Sequence, residues 1–369
     1  IKRWLLMMFV GLTILATAGA LLIRILFREV PGDSLAGQLF ELVSLNFLPD
    51  PLRPIVVIAI GVGVFLYGLW RLLSVLLEPF PTRREPLVEL VYQKRSLARG
   101  PRIVAIGGGT GLSTLLRGIK EVSSNITAVV TVADDGGSSG KLRQELGVPP
   151  VGDIRNCIAA LADVEPTMSS LMQYRFPAKD ADPGLAGHAF GNLLIAAMAD
   201  ITGDFEEGVR QSNRVLAVRG QVVPVAPRAL SLNAELADGT RLAGQSLIAS
   251  SRGIRRVWLS PAHVEASAEA VEAIRSADLI VMGPGSLYTS VLPSLLVPGI
   301  HSAIEAAGGL RVYVSNVATQ PGETEGYTLS EHVAALSAHG VGNLVDVVLA
   351  NDDETAKVPP GYVAAPVHV

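Results

Sequence analysis

The chain has 369 residues, 49% of them hydrophobic and 17% charged, with a mean hydropathy of +0.41. A soluble domain ordinarily carries about 25% charged residues, so either the core is unusually large or part of the chain sits in lipid. A net charge of −4 leaves no electrostatic footprint for nucleic acid, and one cysteine excludes a disulfide framework and a cysteine-built zinc site.

The apolar surplus is concentrated at the start. Trp4–Ile23 runs without a charge, about the length that spans a bilayer core. A second stretch runs from Ile55 to Trp70 and passes Arg71 into Leu72–Leu77. A two-helix transmembrane hairpin is therefore expected within residues 1–78, with a short interfacial helix through Leu35, Leu39, Leu42 and Val43. Lys2 and Arg3 before the first span, and Arg71, Arg83 and Arg84 at and after the second, place both ends on the cytoplasmic side of the inner membrane. A cleaved signal peptide ending near Ala16-Thr17-Ala18 is the competing reading. Residues 79–100 read as a basic linker broken by Pro79, Pro81 and Pro86.

From residue 101 the pattern alternates. Apolar runs at Ile103–Ile106, Ile126–Val132, Ala277–Met282, Val312–Val314 and Leu344–Leu349 are separated by helical stretches such as Ala262–Arg275. Continuous apolar strands imply burial on both faces, and alternation with helices implies a doubly wound, mostly parallel α/β sheet over residues 101–369. Asp238-Gly239 signals a hairpin inside a small antiparallel insertion at about 215–258.

In such sheets ligands bind beyond the carboxyl ends of the strands, so the residues after each run matter most. Gly107-Gly108-Gly109-Thr110-Gly111 follows the first and opens a helix, a backbone suited to phosphate. It lacks the lysine of a P-loop, and its spacing departs from the dinucleotide fingerprint. Asp134-Asp135 follows the second run. Two adjacent carboxylates suit Mg²⁺, although a polar turn has the same composition. Gly136–Gly140, with Gly137 and Ser138, offers a nest of N–H groups. Then come Arg155 and Asn156 in Gly152-Asp153-Ile154-Arg155-Asn156, where Arg155 is either an anion clamp or a brace for Asp153. Cys157 reads as a buried thiol, and His188 with Asn192 stands at a helix start where both would face a ligand, although a lone histidine equally suits a capped or core position. Gly283-Pro284-Gly285-Ser286 repeats the glycine loop after a later strand, and Asn316, Thr319 and Gln320 offer groups for base or sugar recognition. Glu323 and Glu325 read as solvated charge. Five such loops point to a cytoplasmic cleft for a phosphorylated, nucleotide-like ligand.

The strings IGGGTGLSTLLRGIK, NITAVVTVADDGGSSGKLR, GDIRN, GHAFGNLLIAA, ADLIVMGPGSLYTSVLPSLLV and NVATQPGETEGY resemble the YvcK family of gluconeogenesis factors over roughly residues 102–352. That family is related to the 2-phospho-L-lactate transferases of coenzyme F420 synthesis. The resemblance implies a Rossmann-like fold, a UDP-sugar ligand such as UDP-N-acetylglucosamine, and a role in cell-wall precursor supply and cell shape. It implies phosphate contacts at Gly108, Gly109, Thr110, Gly111 and Gly283–Ser286, Mg²⁺ at Asp134 and Asp135, and a ligand contact from Tyr362. The full candidate contact set adds Gly137, Ser138, Asn156, Asn192, Gly285, Ser286 and Asn316, with no catalytic residue assigned. The expectation is a membrane-tethered, homo-oligomeric binding regulator with cell-wall synthesis proteins as partners. The alternative is a Mg²⁺-dependent phospholactate-type phosphotransferase.

Overall fold

Apolar runs with no polar alternation build the centre of the molecule. The computed structural model describes residues 87–163, 165–177, 184–353 and 364–368 together with isolated earlier positions, and it divides into two units, residues 1–85 and 86–369. Only the second is described below. The expected transmembrane hairpin falls outside the described residues apart from single positions, and Tyr362 falls outside them altogether. Among the described residues no single helix is long and apolar enough to cross a membrane.

Helix α1 (Leu87–Ala98) opens the unit. This stretch was expected as linker, but all three prolines precede it, so nothing stops a helix. Asn125 fastens its end, with Nδ2 donating to Ala98 O at 3.1 Å and Gly100 O at 2.7 Å. There follow β1 (Ile103–Gly107), α2 (Gly109–Ile119), β2 (Ile126–Val130), α3 (Gly137–Leu146), α4 (Gly152–Leu161), α5 (Glu165–Gln173), α6 (Phe190–Thr202), α7 (Phe205–Val215) and β3 (Gln221–Pro224). Next are β4 (Ser231–Leu236), β5 (Arg241–Ala243), α8 (Gln245–Ala249), β6 (Ile254–Ser260), α9 (Ala268–Arg275) and β7 (Leu279–Met282). A π-helical turn (Leu287–Val291), α10 (Leu292–Leu295), α11 (Pro298–Ala306), β8 (Leu310–Val314), α12 (Leu329–Ala338) and β9 (Val347–Leu349) complete the order.

Six strands form one parallel sheet in the order β3-β2-β1-β7-β8-β9. Every residue of β1 is buried, because helices cover both faces. Leu112 and Leu116 of α2 and Ile154, Ile158 and Leu161 of α4 supply much of that cover, each fully enclosed. Burying a side chain of this size stabilises the fold by roughly 1.5–3 kcal/mol. Strand order reverses direction between β1 and β7, whose registers meet at Ile106 and Met282. That reversal opens a crevice at the carboxyl ends of these two strands.

The antiparallel insertion is narrower than the expected 215–258 on one side. Gln221–Pro224 is an edge strand of the parallel sheet, paired with Thr127–Val130, and the three-stranded sheet β5-β4-β6 spans Ser231–Ser260. Its hairpin turns at the expected Asp238-Gly239: Gly239 takes φ +85° and Asp238 Oδ1 accepts the Thr240 N–H at 2.9 Å.

Candidate functional site

The two glycine loops meet at the crevice. A Cβ on Gly111 would stand 2.7 Å from Pro284 O, and one on Gly285 would stand 3.0 Å from Gly108 O. Glycine at these places lets the two backbones touch. Gly109 takes φ +70° at the first position of α2, a conformation that L side chains avoid. Asn316, after β8, locks the second loop: Gly285 N–H donates to its Oδ1 at 3.1 Å, and its Nδ2 donates to Gly285 O at 2.9 Å. Gln320 Nε2 donates to Ser286 Oγ at 2.8 Å. Asn316 therefore shapes the loop instead of standing free.

Four helices start around this crevice without an N-cap side chain. Their N-cap residues are Gly108 for α2, Gly136 for α3, Val151 for α4 and Ala189 for α6, and none makes a capping hydrogen bond. In contrast α7, α9 and α12 are capped by Asp204, Ser267 and Thr328. Uncapped N-termini carry free donors and partial positive charge, which together favour an anion. Helix α11 is also uncapped, but it begins with Pro298, which has no N–H to offer.

Side chains tie these starts together. Ser138 Oγ accepts from Asn192 Nδ2 at 3.0 Å and from the Ala189 N–H at 3.3 Å, which leaves its own proton for His188 Nδ1 at 3.1 Å. His188 is thus a buried structural partner, as its surroundings in sequence suggest. Asn156 Oδ1 accepts from Gln173 Nε2 at 2.7 Å and from Arg155 Nη2 at 3.1 Å. Cys157 is fully buried, and burial pushes its thiol well above the ordinary range, so it is no nucleophile.

The acids divide by role. Asp135 Oδ1 accepts the Ser246 N–H at 2.9 Å and its hydroxyl at 2.8 Å, fastening the insertion to the end of β2. Asp134 Oδ1 accepts the Gly136 N–H at 2.9 Å. Burial raises the Asp134 carboxyl above the usual range, against hydrogen bonds from Gly136 and Ser139. Asp153 is the acid that the residue pattern alone presents only as a brace for Arg155. Burial and then the nearby Asp134 push it up to about 6, although the Gly109 N–H donates to it. Asp134 and Asp153 thus act on each other's charge at the crevice, and the Arg155 guanidinium offsets both in part.

Among the described residues no group of three or more His, Cys, Asp or Glu is placed to hold a metal ion. Mg²⁺ needs fewer protein ligands, because it keeps waters and completes its shell with phosphate oxygens. Asp134 and Asp153 would be the carboxylates nearest the phosphate loops for such an ion, while Asp135 holds Ser246. Glu323 corrects the expectation of a solvated charge. It is 4% exposed and accepts the Tyr288 N–H at 3.2 Å and Thr289 Oγ1 at 2.5 Å, capping the π-helical turn after the second glycine loop. Glu325 does sit at the surface, paired with Arg252 at 2.8 Å.

A family model described as 2-phospho-L-lactate transferase CofD matches residues 103–364, which takes in every strand and all of the loops above. The chain belongs to the CofD family. Its relatives carry another name as well. A Nostoc protein provisionally named gluconeogenesis factor is 49% identical over 360 residues, covering 95% of this chain and 76% of that one. That match takes in most of the first hundred residues. The gluconeogenesis factor of Bacillus subtilis is 50% identical over 259 residues, covering 70% of this chain and 81% of its own. A crystal structure of a upf0052-family protein from Bacillus halodurans is similar at a TM-score of 0.68 and 48% identity, covering 73% of this chain and 88% of that one. Within the CofD family, then, this chain is similar to proteins named gluconeogenesis factors.

Proposed function

We propose that this CofD-family chain is a membrane-tethered binding protein for a nucleotide-sugar of the UDP-N-acetylglucosamine type, acting as a gluconeogenesis-factor regulator of cell-wall precursor supply and cell shape. The observation that carries the binding reading is the convergence of four uncapped helix starts on the crevice between β1 and β7. Such a site takes phosphate, and the switch point of a doubly wound sheet takes nucleotides. The names of the Nostoc and Bacillus relatives support the regulatory part, and the two uncharged apolar stretches before residue 78 support the tether.

Calorimetric titration of the full chain in detergent with UDP-N-acetylglucosamine, GDP and NAD, each with Mg²⁺, tests the ligand. Heat with the UDP-sugar and none with the other two is expected. Tethering is tested separately by fractionation: the full chain should sediment with membranes and be released by detergent but not by high salt.

The second reading is a phospholactate-type phosphotransferase. The Asp134–Asp153 pair favours it, together with the family model's description. A Mg²⁺ held there would neutralise phosphate oxygens of a bound donor. Heat with GDP and none with the UDP-sugar would put this reading first.

A further inference from the structure

The antiparallel insertion is basic in an acidic chain. Residues 231–260 hold Arg241, Arg252, Arg255 and Arg256 against Glu235 and Asp238, while the net charge of the whole is −4. Strand pairing sets Glu235 between Arg241 of β5 and Arg256 of β6. They share the face away from the core, since Leu232, Ala234, Val257 and Leu259 are buried on the other. A bulge opposite Glu235 and Leu236 brings in Arg255 as well. The Glu235 carboxylate is divided: Arg241 Nε and Arg255 Nη1 stand 3.6 Å from its two oxygens, too far for a hydrogen bond. Those two arginines are 75% and 72% exposed, and Arg256 lies over the Trp258 ring at 5.5 Å. Asp238 is taken up in the hairpin turn and Arg252 by Glu325. Three cations therefore face one carboxylate.

Strand β5 is also an open edge. The order β5-β4-β6 leaves its far side without a strand. Leu236 N–H donates to Thr240 O at 2.9 Å, and Gly244 N–H to Leu232 O at 2.8 Å. Backbone groups alternate along an antiparallel pair, so Thr240, Leu242 and Gly244 turn theirs to β4 while Arg241 and Ala243 turn theirs outward. Both outward residues are exposed. Among the described residues, neither has a backbone hydrogen bond outside the sheet ladder. An edge this short and charged refuses apolar strands, which protects it from aggregation. The same charge suits a strand that brings carboxylates.

We infer that the open edge of β5, with Arg241, Arg255 and Arg256 on the sheet face behind it, docks an extended acidic segment of a partner protein as a fourth strand. Main-chain bonds to Arg241 and Ala243 set the register of that segment. Its carboxylates meet the arginines that Glu235 leaves unanswered. A nucleic acid fits less well, because its phosphates supply only acceptors and the edge also offers two carbonyls. A second copy fits less well too. Pairing two edges of three residues covers far less than the roughly 1,200 Å² at which stable interfaces begin, and it brings two basic faces together. The inference goes beyond the proposed function and does not depend on what the crevice binds.

The test follows fluorescent peptides binding to the full chain in nonionic detergent by anisotropy. One short peptide alternates glutamate with valine, and one alternates lysine with valine. A third is the glutamate peptide N-methylated at its glutamates, the residues that would pair with Arg241 and Ala243. The glutamate peptide should bind, and the other two should bind more weakly by about fivefold or more. Ala243→Pro removes an outward N–H that β4 does not use, and Arg241→Gln removes an exposed charge. Each should weaken the glutamate peptide by a similar factor at unchanged Tm. If Ala243→Pro lowers the Tm, the methylated peptide reads the same main-chain pairing on the unaltered chain. Absence of binding by the glutamate peptide, or equal binding of the lysine or the methylated peptide, overturns the inference. Unchanged affinity in Arg241→Gln overturns it as well. An oligothymidylate that binds more tightly than the glutamate peptide and is lost in Arg241→Gln would assign the surface to nucleic acid instead. A dimer in sedimentation that Ala243→Pro disperses would assign the edge to a second copy, and either result overturns the partner strand.

Discussion

Asp153 and Gly109 join two helix starts: the carboxylate at the first turn of α4 accepts the N–H of the first residue of α2. A Cβ on neighbouring Gly108 would collide with that carboxylate, so the loop after β1 and the start of α4 form one unit. The carboxylate occupies one donor of the helix start, while Thr110 and Gly111 follow it in the first turn of α2 with no side-chain cap.

Asp153 is held at about 6 against an ordinary 3.8, which means that folding favours its protonated form. Its contribution to stability is full below the ordinary value and is lost as the pH rises through about 6. Asp153→Asn removes that loss. Urea unfolding without added metal should therefore show the variant gaining on wild type by about 2 kcal/mol more at about pH 7.5 than at about pH 4.5. An unchanged difference between the two conditions would show that the carboxyl is not shifted.

His339 gives a pH dependence of opposite sign. Its Nδ1–H donates to Ala335 O at 2.7 Å, and its Nε2 accepts the Val257 N–H at 3.0 Å, so α12 grips β6 through a neutral imidazole. Burial is the main cause that lowers its pKa below 6.5, with the charge of Arg256 adding to it. The stability it contributes is present above 6.5 and is lost as the pH falls through the depressed value. His339→Leu should cost about 1–3 kcal/mol at neutral pH and flatten this acid arm in thermal melts.

Gly111→Ala places a methyl 2.7 Å from Pro284 O, a backbone atom that no rotamer change can move. The expected cost is about 1–3 kcal/mol, with weaker nucleotide binding because the two loops are forced apart. Denaturant melts and calorimetry read the two effects separately.

Asn316→Ala removes both hydrogen bonds to Gly285. About 1–2 kcal/mol of stability should be lost, and ligand affinity should fall. A double variant with His339→Leu whose losses simply add would confirm that the two places are independent.

The sheet was legible because its strands are buried on both faces and read as unbroken apolar runs before glycine loops: Ile103–Ile106 and Ala277–Met282 lead straight to the crevice. Edge strand β3 was not, since Gln221–Pro224 is four residues long and ends in proline. Its parallel pairing depends on where α7 delivers it. The glycines and Asp134 could be placed from their position after strands. Asp153 could not, because its role comes from the meeting of α4 with α2, which are far apart in the chain. Glu323 looked like surface charge beside Glu325 until Tyr288 and Thr289 folded over it. A local pattern cannot show which of two neighbouring acids will find buried donors.

The central claim is that the helix starts around the β1–β7 crevice hold the phosphates of a nucleotide ligand. Hydrogen exchange on the full chain, with and without saturating UDP-N-acetylglucosamine and Mg²⁺, tests it most directly. The account predicts slowed exchange at the amides of Thr110–Gly111, Gly137–Ser139 and Ser286–Leu287, and unchanged exchange through Leu329–Ala338. Saturating binding that leaves those loops unprotected, or that protects residues elsewhere instead, would contradict it.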